Sequence, residues 1–258
     1  MELEGKAAIV TGAVGAIGQG ICKTLAGEGM RVVVADLSQD RCGRFADEIK
    51  ASGGMAMGVA VDVASRESTR KMVETVLAAY GRIDVLVNNA GIIVVASLVN
   101  HREEDFDRVL SVNVKGAFLC AQAVAPHMIQ NQSGRIINIA SIAAKKSGPL
   151  ISAYAASKHA LLGLTQVWCQ ELGPHNITVN AVCPGIIESP MWKDHLKPAL
   201  APLFGVDESQ LLEAITKAQA PLARPLQPED VGEAVAYFCR ADNTSGQALA
   251  VDGGCTAF

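Results

Sequence analysis

Short runs of β-branched and apolar residues alternate with longer Ala- and Leu-rich amphipathic segments along almost the whole chain. The first repeats are the strand-like KAAIVTG, a helix-like stretch over 18–29, the strand-like RVVVAD and a helix-like stretch over 41–52. This alternation is typical of repeated β-α-β units, which build a parallel sheet with helices on both faces. It predicts an α/β fold, a Rossmann-like doubly wound parallel sheet.

The chain of 258 residues has no Pro-, Gly- or Ser-rich linker and no internal repeat of solenoid length. We therefore predict one nucleotide-binding domain over 1–258. One segment, 186–225, departs from the tight rhythm because it is rich in proline and has a helical centre around 209–219. A long insertion between a strand and the next helix is usually functional, so 186–225 is predicted to be a substrate-binding loop.

Charge and cysteine usage exclude several classes of function. Twenty-two Lys and Arg against 26 Asp and Glu give a net charge of -4, which argues against a nucleic-acid partner. No run approaches the roughly 18 consecutive apolar residues of a membrane helix, and the start MELEGK lacks the features of a secretion signal. Seven scattered cysteines without a Cys-x-x-Cys pair, and five histidines without a ligand spacing, predict reduced thiols and no metal. We expect a cytoplasmic protein.

A glycine-rich turn, TGAVGAIG, joins the first predicted strand to the first predicted helix. Such a turn presents backbone N–H groups and the positive end of a helix dipole to a pyrophosphate. We expect Gly12, Gly15, Ile17 and Gly18 to bind the phosphates of a dinucleotide. The alternative is a tight connection without a ligand.

Asp36 ends the second predicted strand, 18 residues after Gly18. A carboxylate there can accept hydrogen bonds from the adenosine ribose hydroxyls and would repel a 2'-phosphate. Because the turn holds no Arg or Lys and Leu37 and Ser38 follow Asp36, nothing nearby is expected to neutralise that phosphate. The predicted cofactor is therefore NAD rather than NADP.

Tyr154 and Lys158 are four residues apart in a predicted helix, so their side chains lie on one face. A cation stabilises a phenolate and lowers the pKa of the tyrosine toward working pH, as a general base requires. The pair alone is suggestive, because a Tyr-x-x-x-Lys spacing arises readily by chance.

Taken in order, these and further residues resemble the short-chain dehydrogenase/reductase family over nearly the whole chain. The matching residues are Thr11 to Gly18, Asp36, Asp62 with Val63, Asn88 to Gly91, Asn113, Ser141, Tyr154 with Lys158, and Pro184 with Gly185. One departure is Ala16, which stands where the family pattern has a glycine. An added methyl group there is expected to weaken pyrophosphate binding slightly.

The resemblance implies four catalytic residues, in which Tyr154 exchanges a proton with the substrate hydroxyl and Lys158 lowers its pKa and binds the nicotinamide ribose. Ser141 would hydrogen-bond the same substrate oxygen, and Asn113, in the middle of a long helix, would hold a water that relays protons to Lys158. The remaining cofactor contacts implied are Asp62, Val63, Asn89, Ile187 and Ser189.

The sequence says less about the identity of the substrate. Lys146 lies near the mouth of the expected pocket, and Trp192 in the 186–225 segment could form one wall. Similarity to bacterial polyol, sugar and diol dehydrogenases favours NAD-dependent interconversion of such a secondary alcohol and its ketone. The alternatives are a 3-oxoacyl thioester reductase and a non-catalytic nucleotide-sensing module. Members of the family are usually oligomers, and we expect a homotetramer.

Overall fold

A computed structural model describes residues 1–257. Its seven strands form one sheet in the order β3-β2-β1-β4-β5-β6-β7, and all six neighbouring pairs are parallel. The strands are β1 Ala7–Thr11, β2 Arg31–Asp36, β3 Met55–Ala60, β4 Val85–Asn88, β5 Gly134–Ile139, β6 Ile177–Pro184 and β7 Ala248–Val251. The helices are α1 Ala16–Gly27, α2 Gln39–Ala51, α3 Arg66–Tyr80, α4 Glu103–Leu110, α5 Gly116–Gln130, α6 Ser152–Leu172, α7 Lys197–Phe204, α8 Glu208–Gln219 and α9 Pro228–Arg240.

Helices cover both faces of the sheet, so the central strands are buried on both sides. Val32 and Val34 of β2 pack into a cluster with α1, α2 and α9, whereas Val33 packs into a second cluster with α3, α5 and α6. Alternate residues of a strand point to opposite faces, so a buried strand needs apolar residues on both. The predicted α/β fold, a Rossmann-like doubly wound parallel sheet, is confirmed.

The long helix expected around Asn113 starts at Glu103, and its α-helical pattern is interrupted. A π-helical turn, Ser111–Lys115, separates α4 from α5. The span Glu103–Gln130 is long and apolar enough to cross a membrane by length and composition alone. In this fold it is a core helix, since Cys120, Val124 and Met128 pack in the cluster beneath the sheet.

The 186–225 segment contains more helix than the sequence pattern indicated. Its expected centre corresponds to α8, but a π-helical turn, Trp192–Leu196, and α7 precede it. Trp192 is buried and packs with Ala201, Leu211 and Ile215 in a small cluster separate from the two sheet clusters. The segment therefore carries an apolar core of its own.

Candidate active site

A cleft opens at the carboxyl ends of β1 and β4, where the connections from the central strands diverge toward opposite edges of the sheet. Ligands of open α/β sheets bind at such a switch point. The cleft is lined by nine of the residues expected to contact the cofactor, namely Gly12, Gly15, Ile17, Gly18, Asp36, Asp62, Val63, Asn89 and Ser189. Its shape and lining fit a dinucleotide.

Two positions of the turn require glycine, because an added Cβ would lie too close to neighbouring backbone atoms. Gly12 has a φ of 62°, and a Cβ on it would lie 2.7 Å from the Cα of Ala90. A Cβ on Gly18 would lie 2.7 Å from the Cα of Ala13. Gly15 differs, because a Cβ there meets only the Gly12 carbonyl oxygen at 3.4 Å.

The turn leads into the N-terminus of α1. Gly15 is the N-cap and supplies no side-chain hydrogen bond. The first backbone N–H groups of a helix have no partner within it, so those of α1 are available to a pyrophosphate. Ala16 starts the helix and lines the cleft.

Asn89 holds the turn in place from β4. Its Nδ2 donates to the carbonyl oxygens of Thr11 at 2.8 Å and Gly12 at 3.0 Å. The Thr11 hydroxyl oxygen in turn accepts from the backbone N–H groups of Asn89 and Ala90, both at 3.1 Å. The cofactor turn and the end of β4 are therefore one hydrogen-bonded unit.

Asp36 lines the cleft at the end of β2. Its carboxylate accepts hydrogen bonds from the backbone N–H groups of Leu37 at 2.8 Å and Val14 at 3.2 Å. The expectation that no cation lies nearby was wrong, because the exposed Arg41 on the first turn of α2 lines the same cleft. The sequence places Arg41 five residues after Asp36, and one helical turn brings it back toward the strand end.

Ser141 and Tyr154 come together at the end of β5. Ser141 caps a short 3-10 turn and accepts a hydrogen bond from the N–H of Ala143 at 3.1 Å. Burial raises the pKa of Tyr154, and a hydrogen bond with Ser141 lowers it. The two hydroxyls can therefore bind the same substrate oxygen.

Lys158 lies one turn along α6 and is buried. Its ammonium donates to the carbonyl oxygen of Ile139 at 2.8 Å and lies 5.5 Å from the centre of the Tyr154 ring. Burial lowers the pKa of Lys158 to about 8. We expected Lys158 to lower the pKa of Tyr154, but without a cofactor that pKa is raised by burial, and Ser141 is the group that opposes the rise.

Asn113 occupies the centre of the π-helical turn rather than an ordinary helix interior. Its amide forms a pair of hydrogen bonds with the backbone of Ile92, accepting from N–H at 2.8 Å and donating to the carbonyl at 2.9 Å. A Cβ on Gly91 would lie 3.4 Å from both the Asn113 Oδ1 and the Lys158 Nζ. Asn113 and Lys158 therefore flank the same point of the cleft.

Ser157 belongs to this group and was not predicted. Its hydroxyl accepts from the Nδ2 of Asn113 at 2.9 Å and donates to the carbonyl oxygen of Tyr154 at 2.7 Å. The sequence signal available was its place beside Lys158, but a serine in a helix has many uses. Only the fold brings it to Asn113.

A second cavity of about 230 Å³ adjoins the Ser141 and Tyr154 hydroxyls. Most of its lining is aliphatic or aromatic, and nearly half of it comes from the 186–225 segment, including Ile187, Trp192 and Ile215. Lys146 also lines it and is exposed. Of the expected cofactor contacts, Ile187 lines this cavity, and Ile17 and Ser189 line both spaces.

The fold and the Asn–Ser–Tyr–Lys site define an oxidoreductase that uses a nicotinamide cofactor. The chain belongs to the short-chain dehydrogenase family, whose model matches residues 6–199.

Three similar proteins illustrate the range of this family. The chain is 37% identical over 256 residues to a 3-oxoacyl-[acyl-carrier-protein] reductase of Thermotoga maritima, covering 98% of this chain and 99% of that one. It is 34% identical over 260 residues to a (2S)-[(R)-hydroxy(phenyl)methyl]succinyl-CoA dehydrogenase subunit of Thauera aromatica, covering 100% and 99%. The crystal structure of an actinorhodin polyketide ketoreductase with NADPH superposes with a TM-score of 0.93 at 35% identity, covering 98% of each chain.

Proposed function

We propose that this protein interconverts a 3-oxoacyl thioester and its 3-hydroxy form, with NAD(H) as the cofactor. The observation that carries the proposal is the largely aliphatic cavity beside the Ser141 and Tyr154 hydroxyls. An acyl chain gains free energy on leaving water for such a wall, whereas a polyol would leave hydroxyls unpaired there.

The polyol, sugar or short-diol reading is therefore the second candidate. The similarity to a 3-oxoacyl-carrier-protein reductase and to a CoA-thioester dehydrogenase supports the thioester. Asp36 supports NAD(H), whereas the NADPH bound to the similar ketoreductase supports NADP(H). For this chain we favour NAD(H), because a phosphate beside the Asp36 carboxylate would be repelled.

The chain's own residues provide the proton and hold the reacting oxygen. The nicotinamide cofactor, when bound, supplies or accepts the hydride. Ser141 and Tyr154 hold the carbonyl oxygen of the substrate, and Tyr154 donates the proton during reduction and accepts it during oxidation. Lys158 stabilises the phenolate that forms when Tyr154 gives up its proton. Asn113 hydrogen-bonds both the backbone of Ile92 and Ser157 and so holds that backbone against α6.

We further propose that residues 186–225 bind the substrate within a single domain spanning 1–258, and that the protein is a cytoplasmic homotetramer. Phe118 of α5 and Val167 of α6 are 39% and 50% exposed and give these helices apolar contact surface for another subunit. Sedimentation at micromolar concentration tests the assembly: a tetramer is expected, and a monomer would contradict it.

The test of the reaction is a pair of assays on the purified protein. We expect NADH oxidation with acetoacetyl-CoA and little NADH formation with a panel of polyols, sugars and short diols. Turnover of the panel with no turnover of the thioester would overturn the proposal in favour of the second candidate.

Tyr154→Phe separates catalysis from nucleotide sensing. The variant lacks the proton donor, so we expect turnover to fall by a factor of about 1000 or more while NADH binding is kept. Tyr237→Phe is the matched control, because Tyr237 is half-exposed on α9, outside the site. A sensing module would have no turnover to lose in either variant.

A further inference from the structure

Two polar side chains line the largely aliphatic cavity. Lys146 follows the 3-10 turn after Ser141, and Gln219 is the last residue of α8. The Gln219 Oε1 lies 4.0 Å from the Cys255 thiol. Burial raises the pKa of that thiol, and the Lys146 charge opposes the rise. Lys146 and Gln219 therefore line one cavity although they come from distant parts of the chain.

Lys146 is free to bind a ligand. In the part of the chain that the structure describes, its ammonium has no ion-pair partner. Lys193 of the 186–225 segment differs, because it pairs with Glu188 at 3.2 Å. Lys145 is also exposed but does not line the cavity.

The C-terminal turn orients Gln219. The Cys255 thiol donates to the Gln219 Oε1 at 4.0 Å, and this bond does not use the two N–H groups of the amide. Cys255 is held by Asp252, whose carboxylate accepts from the N–H groups of Gly254 at 2.9 Å and Thr256 at 2.8 Å. The negative charge of Asp252 is therefore stabilised by hydrogen bonds within the turn itself.

We propose that Lys146 and Gln219 form a subsite for a carboxylate on the acyl part of the substrate. This inference rests on the proposed function, which it narrows to 3-oxoacyl thioesters that carry a second acidic group. A carboxylate offers acceptors for the ammonium and the amide donors together, while the aliphatic wall covers the carbons between it and the ketone.

A coenzyme A thioester carries two kinds of anion, the phosphates of the coenzyme and any carboxylate on the acyl group. A pantetheine arm of about twelve bonds is flexible and spans at most roughly 14 Å when extended, so the phosphates can lie outside the cavity of about 230 Å³ that holds the reacting acyl group. We therefore assign the anion at Lys146 to the acyl group. Thioesters that share the same coenzyme A separate the two sources.

A matched pair of thioesters tests the inference. The CoA thioesters of 3-oxoadipate and 3-oxohexanoate have the same carbon skeleton, with a carboxylate replacing a methyl group. We expect kcat/KM to be about tenfold higher for 3-oxoadipyl-CoA, as for a charge-assisted hydrogen bond at a partly exposed site. Lys146→Met should remove this preference and Lys146→Arg should keep it. Lys145→Met, the matched control, should leave it unchanged.

Binding gives a readout that does not depend on turnover. Adipyl-CoA and hexanoyl-CoA lack the ketone, and calorimetry measures their affinity for the protein with NADH bound. About tenfold tighter binding of adipyl-CoA, lost in Lys146→Met, supports the subsite. Equal binding of the two thioesters overturns it, even if both 3-oxo compounds are reduced. Failure to reduce either 3-oxo compound contradicts the proposed function instead.

Discussion

The Nδ2 of Asn113 donates a hydrogen bond to the hydroxyl of Ser157 at 2.9 Å and so ties the π-helical turn to the helix that carries Tyr154 and Lys158. An α-helix with a π turn offsets the residues that follow, and such turns are frequent at functional sites. Here the offset brings an amide from one helix to the backbone of Ile92 and to α6 at once.

Ser157→Ala should therefore reduce catalysis, although the Ser157 side chain acts only through Asn113 and not on a ligand. Loss of a buried hydroxyl leaves the Asn113 amide short of one acceptor, and we expect unfolding to become easier by about 1–2 kcal/mol. We expect kcat to fall about tenfold, with the KM for the cofactor nearly unchanged. Ser152→Ala is the control, since Ser152 is exposed on the same helix. An equal effect of both variants would show that Ser157 has no special role.

Ser141→Ala should move the pH dependence of alcohol oxidation. The hydrogen bond with Ser141 lowers the pKa of Tyr154, so its loss raises that pKa. Oxidation needs the deprotonated phenol, and its rate should therefore rise at a higher pH than in the wild type. The measurement is log kcat against pH for the residual activity. Ser141→Thr retains the hydroxyl and should leave the profile in place.

Lys158→Met should stabilise the protein while abolishing activity. Burial lowers the pKa of Lys158 from its ordinary value of 10.5 to about 8, so the charged form is disfavoured in the folded state. At pH values between these two pKa values, the unfolded chain keeps the Lys158 proton that the folded protein has released. The free energy of unfolding of the wild type therefore increases as the pH rises. We expect the variant to be about 1 kcal/mol more stable below pH 8, with the difference vanishing toward pH 10.5. Denaturant unfolding without cofactor at several pH values measures it, and a constant difference would contradict this cause.

Gly18→Ala should weaken cofactor binding far more than Gly15→Ala. The added methyl group on Gly18 would meet the backbone of Gly12 and Ala13, whereas on Gly15 it has ordinary contact distance. Because backbone cannot move aside as a side chain can, we expect at least about a tenfold weaker affinity for NADH in the first variant. Fluorescence titration with NADH compares the two variants. Equal affinities would mean that the turn is less rigid than its contacts indicate.

Asp36→Ser should shift the cofactor preference toward NADPH. We expect the wild type to use NADH at least about tenfold better, because the carboxylate repels the 2'-phosphate. Removing it leaves Arg41 as the cation that lines the cleft. The gain in kcat/KM with NADPH should then disappear in the double variant with Arg41→Ala. A wild type that prefers NADPH would contradict the role given to Asp36.

The sequence by itself determined the parallel sheet and which residues lie at its carboxyl edge. Apolar strands such as β2 must be buried on both faces, and residues at the carboxyl ends of neighbouring parallel strands meet at one edge. That is why the turn ending at Gly18 and the strand-end residue Asp36 could be placed from local pattern, whereas Ser141 was identified through the family resemblance.

Only the tertiary structure decided how residues from distant elements meet. The π turn that positions Asn113, the contact of Ser157 with it and the cavity that Lys146 and Gln219 both line leave no local periodicity in the chain. The shift of the Tyr154 pKa likewise depends on its burial and on Ser141 in the fold. Local sequence fixes backbone conformation over a few residues, whereas desolvation and long-range contacts exist only after the chain has packed.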